Sequence, residues 1–182
     1  KPMPRVSVVM PVFNGERYIA DSIKSVLAQE VVDLELIIVN DGSTDSTPEI
    51  FAAFAATDQR VRNINRPISG RPSFPKNDGI LATRGEYVYF LNHDDQYDAQ
   101  RTRCLVAGLE QNSEWIAAFH DLRFCDSEGS ELPGTYLRTL GLLKRAEKYL
   151  TPLADNWFEC SDSFYVYESL VVGALHTQSV LL

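Results

Sequence analysis

Apolar residues in the first part of this chain occur in short continuous runs. Three runs are rich in β-branched or aromatic residues and predict buried strands, at Val6 to Val12, Leu34 to Val39 and Tyr87 to Leu91. A shorter run, Val61 to Ile64, predicts another strand between the second and the third. Apolar runs without alternation are typical of strands covered on both faces, as in parallel sheets.

Helical periodicity occupies the segments between these strands. Helices are predicted at Glu16 to Gln29, after the capping-box pattern Ser46-Thr47-Pro48-Glu49, at Lys76 to Arg84 and at Gln100 to Gln111. A further strand is predicted at Trp115 to His120. This alternation predicts an α/β fold with a mostly parallel sheet and helices on both faces.

The pattern is weaker after His120. It predicts a hairpin around the turn Asp126 to Gly129, helical structure within Tyr136 to Leu150, a helix at Ser163 to Leu170 and a last strand within 171–182. We interpret residues 1–182 as a single domain, with a first half at 1–111 and a partial second half at 112–182. Because the chain lacks an initial Met and stops inside an apolar run, we expect a piece of a longer protein, truncated at its C-terminus.

Composition and charge limit the classes of function that this protein can have. The formal net charge of −8 argues against a nucleic-acid binder, which needs a basic surface. No apolar stretch is long enough to span a membrane, and the sequence contains no signal peptide. The three cysteines are widely spaced and odd in number, which favours a reducing, intracellular setting.

The junction after the strand at Tyr87 carries the clearest chemical signal. The apolar run ends directly in Asn92-His93-Asp94-Asp95. Ligands of open α/β sheets bind at the carboxyl ends of the strands. Two adjacent carboxylates are costly to hold together unless a cation or several donors offset their charge. We therefore predict a hard metal ion that carries a phosphate ligand; a solvated surface turn is the alternative.

Four segments in order carry a family resemblance: Val6 to Asn14, Glu35 to Asp45, Asn77 to Ile80, and Gly85 to Asp95. Together they resemble the family 2 glycosyltransferases, nucleotide-sugar-dependent enzymes with the Rossmann-like GT-A fold. The resemblance implies transfer of a sugar from a UDP-, dTDP- or GDP-sugar to a saccharide or glycolipid hydroxyl, with inversion and with Mn²⁺ or Mg²⁺ as cofactor. It also implies polysaccharide, lipopolysaccharide or glycolipid assembly, and a location in the cytoplasm or at the inner face of the membrane.

The resemblance assigns the acid pair to the metal-binding D-x-D signature of the family. It implies that Asp95 is the direct metal ligand and that Asp94 holds the ribose or a metal-bound water. Many members carry an acid at the position of Asn92, where this chain has an amide. The ligand assignment therefore depends on the last two acids.

Other positions are assigned to the nucleotide. Asp41 is expected to accept a hydrogen bond from the base, with a purely local role in the turn Asn40-Asp41-Gly42 as the alternative. Pro11 and Phe13 should border the nucleotide, although Phe13 could also be ordinary core. Lys76 stands where many relatives have Arg and could contact the base or a phosphate, or be a solvated lysine at a helix start.

The general base of an inverting transferase has no clear candidate in the sequence. In relatives it belongs to an acidic motif that follows a strand resembling 177–182, so we expect it beyond Leu182. Asp162 is the best substitute within the chain, followed by Glu159 and Asp155.

Two other functions fit the same sequence. One is a non-catalytic module that binds nucleotide sugars and has lost turnover, which the amide at Asn92 favours. The other is a sugar-phosphate nucleotidyltransferase, which should have a Gly-rich basic loop after the first strand. That position reads Phe13-Asn14-Gly15-Glu16-Arg17, with one glycine and one acid.

Overall fold

The computed structural model describes residues 3–30, 33–153, 158–161 and 180–181. The helix expected at Ser163 to Leu170 lies outside these residues. Contacts group the chain into two compact units, one formed by the residues up to Ala118 together with 180–182, and the other by 119–179. No helix in the described ranges is long and apolar enough to cross a membrane.

Strands and helices alternate through the first unit. In chain order the elements are β1 (Val6–Val12), α1 (Ile19–Leu27), β2 (Leu34–Asn40), α2 (Thr47–Thr57), β3 (Val61–Asn65), α3 (Ser73–Ala82), β4 (Tyr87–Phe90), α4 (Arg101–Gln111) and β5 (Ala118–Phe119). They continue with β6 (Arg123–Cys125), β7 (Glu131–Thr135), α5 (Tyr136–Thr139), α6 (Leu142–Arg145), a 3₁₀ turn (Glu147–Tyr149), β8 (Leu150–Pro152), β9 (Phe158–Cys160) and β10 (Val180–Leu181).

The main sheet has the strand order β3-β2-β1-β4-β10-β5. Strands β3, β2, β1 and β4 run parallel, with Val9 of β1 opposite both Ile37 and Phe90, while β10 pairs antiparallel with β4. All seven positions of β1 and all seven of β2 are buried, which explains why both strands are apolar on both faces except at Ser7, Glu35 and Asn40. The mostly parallel α/β fold expected from the sequence is confirmed.

The strand order decides which face each helix covers. The chain steps outward from β1 to β2 to β3 and then returns past them to β4. Because such crossovers are right-handed, α1 and α2 lie on one face and α3 lies on the other. In agreement, α1 packs against α2, and α3 packs over β1 and β2. Helices therefore cover both faces, and the order reverses between β1 and β4.

Some predicted boundaries were wrong. Helix α1 begins at Ile19 rather than Glu16, and α3 begins at Ser73, three residues before the predicted start. The capping box at Ser46 does not form: its side chain makes no cap hydrogen bond. Instead the carboxylate of Asp45 accepts a hydrogen bond of 3.1 Å from the amide of Thr47, so an acid still satisfies the helix start.

A buried acid connects the strands near their amino ends. Glu35, whose side chain is 3% exposed, accepts hydrogen bonds from Ser7 Oγ at 2.8 Å, Arg62 Nη1 at 2.8 Å and Arg84 Nη2 at 2.6 Å. Burial would raise the pKa of Glu35, but these donors outweigh burial and hold the pKa below its ordinary value. The group thus contributes stability as an anion.

We expect Glu35→Gln to lower the free energy of unfolding by about 1–3 kcal/mol at neutral pH, because the amide cannot balance two arginines. The folded-state pKa is lowered, so the stabilisation is complete above the unfolded value and is lost as pH falls through the folded one. Urea unfolding at about pH 7 and at about pH 3 should show the two proteins converging in acid. Glu49→Gln, an exposed acid of α2, is the control; an equal deficit at both pH values would contradict the prediction.

Among its described residues, the second unit has two antiparallel strand pairs and short helices. β6 pairs with β7, as the turn at Asp126 to Gly129 predicted, and β8 pairs with β9. A small apolar cluster holds the helical part together: Leu137, Leu142 and Ala146 are buried, with Tyr136 and Tyr149 packed against them. The helical structure expected within Tyr136 to Leu150 is therefore present, in short pieces.

Candidate functional site

Three parallel strands end at one edge of the sheet and carry the predicted site residues. β2, β1 and β4 are neighbours, and their carboxyl ends lead into Asp41, into Phe13 and into the segment from Leu91 to Asp95. The strand order reverses between β1 and β4, and such a switch point is where α/β sheets open a ligand crevice. The acid pair therefore follows a strand that borders the switch point.

The loops after β1 and β2 are bound tightly to each other. The amide of Asn14 donates to Ser43 Oγ at 2.9 Å, and Asn14 Oδ1 accepts from the amide of Thr44 at 2.8 Å. The amide of Gly15 donates to Thr47 Oγ1 at 2.8 Å. Asn14 adopts a positive φ of 50°, which an asparagine tolerates better than most residues. These bonds hold the two loops in fixed positions at this edge of the sheet.

Pro11 and Phe13 occupy different environments. Pro11 is a buried residue of β1, opposite Val39 of β2. Phe13 is 43% exposed, so it is not part of the core and its ring is available at the sheet edge. Of the two interpretations of Phe13, a ligand-facing residue and a core residue, the geometry favours the first.

Asp41 is buried, and its carboxylate accepts three hydrogen bonds from a neighbouring segment. Its side chain, 8% exposed, accepts hydrogen bonds from Arg66 Nη1, from Ser69 Oγ at 2.7 Å and from the Ser69 amide at 3.1 Å. Burial would raise the pKa of Asp41, but the bonds from Ser69 and Arg66 outweigh burial and hold the pKa below its ordinary value. The residue is an anion and a pure acceptor.

The local turn does not use the Asp41 side chain. Asn40 takes that role, because its Oδ1 accepts from the Ser43 amide at 3.0 Å. Gly42 follows with a φ of 77°, a conformation that suits glycine. The alternative of a purely local Asp41 is therefore not what the structure has.

Arg66 is a residue of this edge that was not predicted from the sequence. Its Nε donates to Asp78 Oδ2 at 2.7 Å while its Nη1 contacts Asp41, so one guanidinium bridges β2 and α3. The guanidinium also lies 5.5 Å from the ring centroid of Phe74. A signal was present, since Arg66 directly follows β3 and so lies at the same sheet edge.

Lys76 lies beside the end of β4. Its Nζ is 5.5 Å from the ring centroid of Phe90, the last residue of that strand. Burial of the ammonium lowers the pKa of Lys76. A lysine solvated at the helix start is not what the structure has, because Lys76 is half-buried in the first turns of α3.

Asp94 and Asp95 are exposed in a turn whose flanks are anchored. On one side Ser22 Oγ donates to the carbonyl of His93 at 2.8 Å. On the other side the amide of Tyr97 donates to Ser25 Oγ at 3.1 Å. Both serines belong to α1, so the acids project from a segment that the helix holds in place.

The Tyr97 side chain strengthens this anchoring. Its buried hydroxyl donates to the carbonyl of Phe90, and burial raises the pKa of Tyr97, so the hydroxyl stays protonated. The guanidinium of Arg101 packs against the same ring, 4.1 Å from its centroid, and against that of Tyr89 at 4.3 Å. The acidic turn is thus fixed at its base, while its tip remains accessible.

The acid pair suits a metal ion whose remaining ligands come from a bound substrate and from water. Within the ranges that the structure describes, no three His, Cys, Asp or Glu residues lie close enough together to hold a metal by themselves. Mg²⁺ and Mn²⁺ bound to nucleotides commonly use one or two carboxylates and complete their shell with phosphate and water oxygens. Asp94 and Asp95 supply that number of ligands.

The candidates for the catalytic general base occur much later in the chain than the residues of this edge. Asp162 and Asp155 lie outside the described residues. Glu159 is an exposed residue of β9. The catalytic base therefore stays a prediction.

Comparison with solved structures supports the fold. The chain superimposes on S. aureus TarS 1–349 in complex with UDP with a TM-score of 0.64 and 23% identity, over 74% of this chain and 39% of that one. For a mannosyltransferase from Pyrobaculum calidifontis, in complex with GDP-Man and Mn²⁺, the TM-score is 0.54 at 20% identity, over 68% and 36% of the two chains. These are GT-A glycosyltransferase folds.

Comparison of sequences identifies the family of the chain as well as its fold. An uncharacterized glycosyltransferase from Haemophilus influenzae is 31% identical over 168 residues, which is 92% of this chain. The chain spans 64% of the length of that relative. The family described as glycosyl transferase family 2 matches residues 7–166. With its parallel sheet, its edge of strand-end acids and this match over most of its length, the chain belongs to glycosyl transferase family 2.

Proposed function

We propose that this chain binds a nucleoside-diphosphate sugar and transfers the sugar, with inversion and with a divalent metal ion, to a hydroxyl of a saccharide or glycolipid. The observation that carries the proposal is the shared sheet edge at which β2 leads into the buried Asp41 and β4 leads into Asp94 and Asp95. One strand separates β2 from β4, so their ends are roughly 10 Å apart, a span comparable to a nucleoside.

Each residue at the edge has a distinct task in this proposal. Asp41, held as an anion, accepts an N–H of the base. The exposed ring of Phe13 packs against the base or ribose, and Pro11 shapes the strand end beneath it. Lys76, half-buried beside Phe90, donates to the base or to a phosphate as a compact cation. The hydrogen bonds between the loops after β1 and β2 hold these two loops in place in the absence of the ligand.

The acid pair acts at the diphosphate. Asp95 would hold Mn²⁺ or Mg²⁺, and Asp94 would hold the ribose or a water of the ion. The ion supplies positive charge to the diphosphate, whose negative charge grows as the bond to the anomeric carbon lengthens. The anchoring of the turn by α1 means that the two carboxylates need little reorganisation when the ligand arrives.

The acceptor side completes the reaction. A carboxylate takes the proton of the acceptor hydroxyl while its oxygen attacks the anomeric carbon from the side opposite the diphosphate, and the configuration inverts. Within this chain Asp162 is the best substitute for that carboxylate, followed by Glu159 and Asp155. Sugar nucleotides are made in the cytosol, so we place the reaction in the cytoplasm, at the inner face of the membrane for a lipid-linked acceptor.

Calorimetry of a folded sample tests the donor site. We expect UDP, dTDP or GDP to bind in the presence of Mn²⁺ and to bind much more weakly after chelation, because the carboxylates repel a diphosphate without the ion. Titration with Mn²⁺ alone is the control for metal binding to the protein. Failure of all three nucleotides to bind with Mn²⁺ would refute the proposal.

A non-catalytic nucleotide-sugar-binding module is the second candidate. Asn92, an amide where many relatives have an acid, favours it. Release of labelled sugar from a nucleotide sugar would distinguish the two, since a module without turnover binds and releases the intact donor.

A sugar-phosphate nucleotidyltransferase fits the structure poorly. Such an enzyme needs free amides after the first strand to cradle a triphosphate. Here the amides of Asn14, Gly15 and Glu16 already donate to Ser43, Thr47 and Asp45.

A further inference from the structure

The carboxylate of Asp41 has limited capacity for a ligand. An ionised carboxylate offers about four acceptor positions on its two oxygens. Oδ1 accepts from Arg66 Nη1 and from the Ser69 amide, and Oδ2 accepts from Ser69 Oγ. No other residue in the described part of the chain donates to it. One position therefore remains, on Oδ2.

The donors that occupy Asp41 are themselves held in place. Arg66 is fixed by its second bond, to Asp78, and by its stacking over the Phe74 ring. The segment of Ser69 lies directly on the turn of Asp41, because a Cβ added at Gly42 would be 2.7 Å from the amide nitrogen of Ile68. Binding a base by displacing these donors would break several contacts at once.

We propose that Arg66 and Ser69 are specificity-determining residues that leave Asp41 a single acceptor position and so select uracil or thymine diphosphates over those of guanine, cytosine and adenine. This inference rests on the proposed function, because it takes Asp41 to read the base.

The chemistry of the bases explains the selection. Uracil and thymine present one imide N–H, which one acceptor position satisfies. Guanine presents two adjacent donors, its ring N–H and its amino group, and one of them would be buried without a partner. The ring nitrogens of cytosine and adenine at the corresponding edge carry a lone pair, which the carboxylate repels.

Calorimetry with saturating Mn²⁺ measures the selection in the unaltered protein. We expect UDP and dTDP to bind with similar affinity and GDP and CDP to bind at least about tenfold more weakly, the effect of leaving one polar group without a partner. Equal affinities for UDP and GDP would overturn this inference and leave the proposed function intact. Absence of binding by every nucleotide would overturn both.

Two variants test the residues. Arg66→Gln should weaken UDP binding about tenfold, because Asp41 loses a charged donor that holds its carboxylate in position for the base, and Ser69→Ala, which removes a neutral donor, should weaken it less. In both variants the ratio of UDP to GDP affinity should fall towards one, since a second acceptor position on Asp41 opens. Arg103→Gln is the control. It removes an exposed arginine of α4 that pairs with Glu30, so it should change neither the affinity for UDP nor the ratio of UDP to GDP affinity.

The affinity ratio separates specificity from simple structural support. Loss of support alone would weaken UDP and GDP binding equally and leave the ratio unchanged. If Arg66→Gln does not fold, Ser69→Ala decides, because it removes one hydroxyl from a partly exposed loop residue. A folded Ser69→Ala protein with an unchanged ratio would overturn the proposal.

Discussion

Replacing Asp95 by Asn is expected to abolish the dependence of UDP binding on Mn²⁺. With the ion present, affinity should fall by roughly a hundredfold or more, since loss of even an outer partner of a metal ligand costs about 10–100-fold. Affinity after chelation should rise slightly, because the amide removes one of the two carboxylates that repel the diphosphate when the ion is absent. Calorimetry with and without Mn²⁺ measures both values.

The location of Asp95 makes this test clean. The side chain is exposed, so the protein with the isosteric amide should stay folded, which its melting temperature checks. Asp94→Asn should have a smaller effect, because Asp94 is assigned to the ribose or to a metal-bound water. Asp21→Asn, which changes an exposed acid of α1, is the matched control. Undiminished Mn²⁺ dependence in Asp95→Asn would mean that other residues hold the ion.

The second large effect is expected at Gly79, where α3 lies closest to the sheet. A Cβ added there would overlap Val9 Cγ1 and lie 3.2 Å from Val39 Cγ2. Both valines are fully buried in central strands, so neither can move aside without displacing the core. Gly79→Val should therefore lower the free energy of unfolding by about 3 kcal/mol, at the upper end of overpacking effects.

Urea unfolding measures this loss, and Leu81→Val is the matched control. Leu81 is 86% exposed on the same helix, so the control introduces the same β-branched residue without the clash. UDP binding by folded Gly79→Val should also weaken, because α3 carries Lys76 and the Asp78 partner of Arg66. A stability change no larger than that of Leu81→Val would show that the helix can move away from the sheet.

Much of the fold could be predicted because its cause is local. The continuous apolar runs of β1 and β2 reflect burial on both faces, and the acids after β2 and β4 follow from the position of strand ends in a parallel sheet. Helix starts were less predictable. At the start of α2 the hydroxyl of Ser46 does not act as a cap. The carboxylate of Asp45 does so, as its negative charge at a helix N-terminus predicts, and the Glu16 amide of the loop after β1 binds the same carboxylate.

The contacts that give Asp41 its character could not be predicted in the same way. Arg66 and Ser69 are 25 and 28 positions away, and they meet Asp41 only because β3 lies beside β2 and ends at the same edge. The sequence shows a carboxylate in a turn, and the fold makes it a buried anion with one acceptor position. For the same reason the sequence does not show the partners of Glu35, which lie on β1, on β3 and in the segment before β4.

The order of apolar and polar residues, by itself, determined the parallel sheet, its covering helices and the edge of the sheet that carries the acids. These features depend on the burial of each strand and on the residues that directly follow it, and both can be read from residues that are neighbours in the chain. Tertiary structure alone decided which groups touch those acids. Hydrogen bonds and ion pairs form between side chains that are distant in the chain, and their partners depend on strand order and on how closely a helix approaches the sheet.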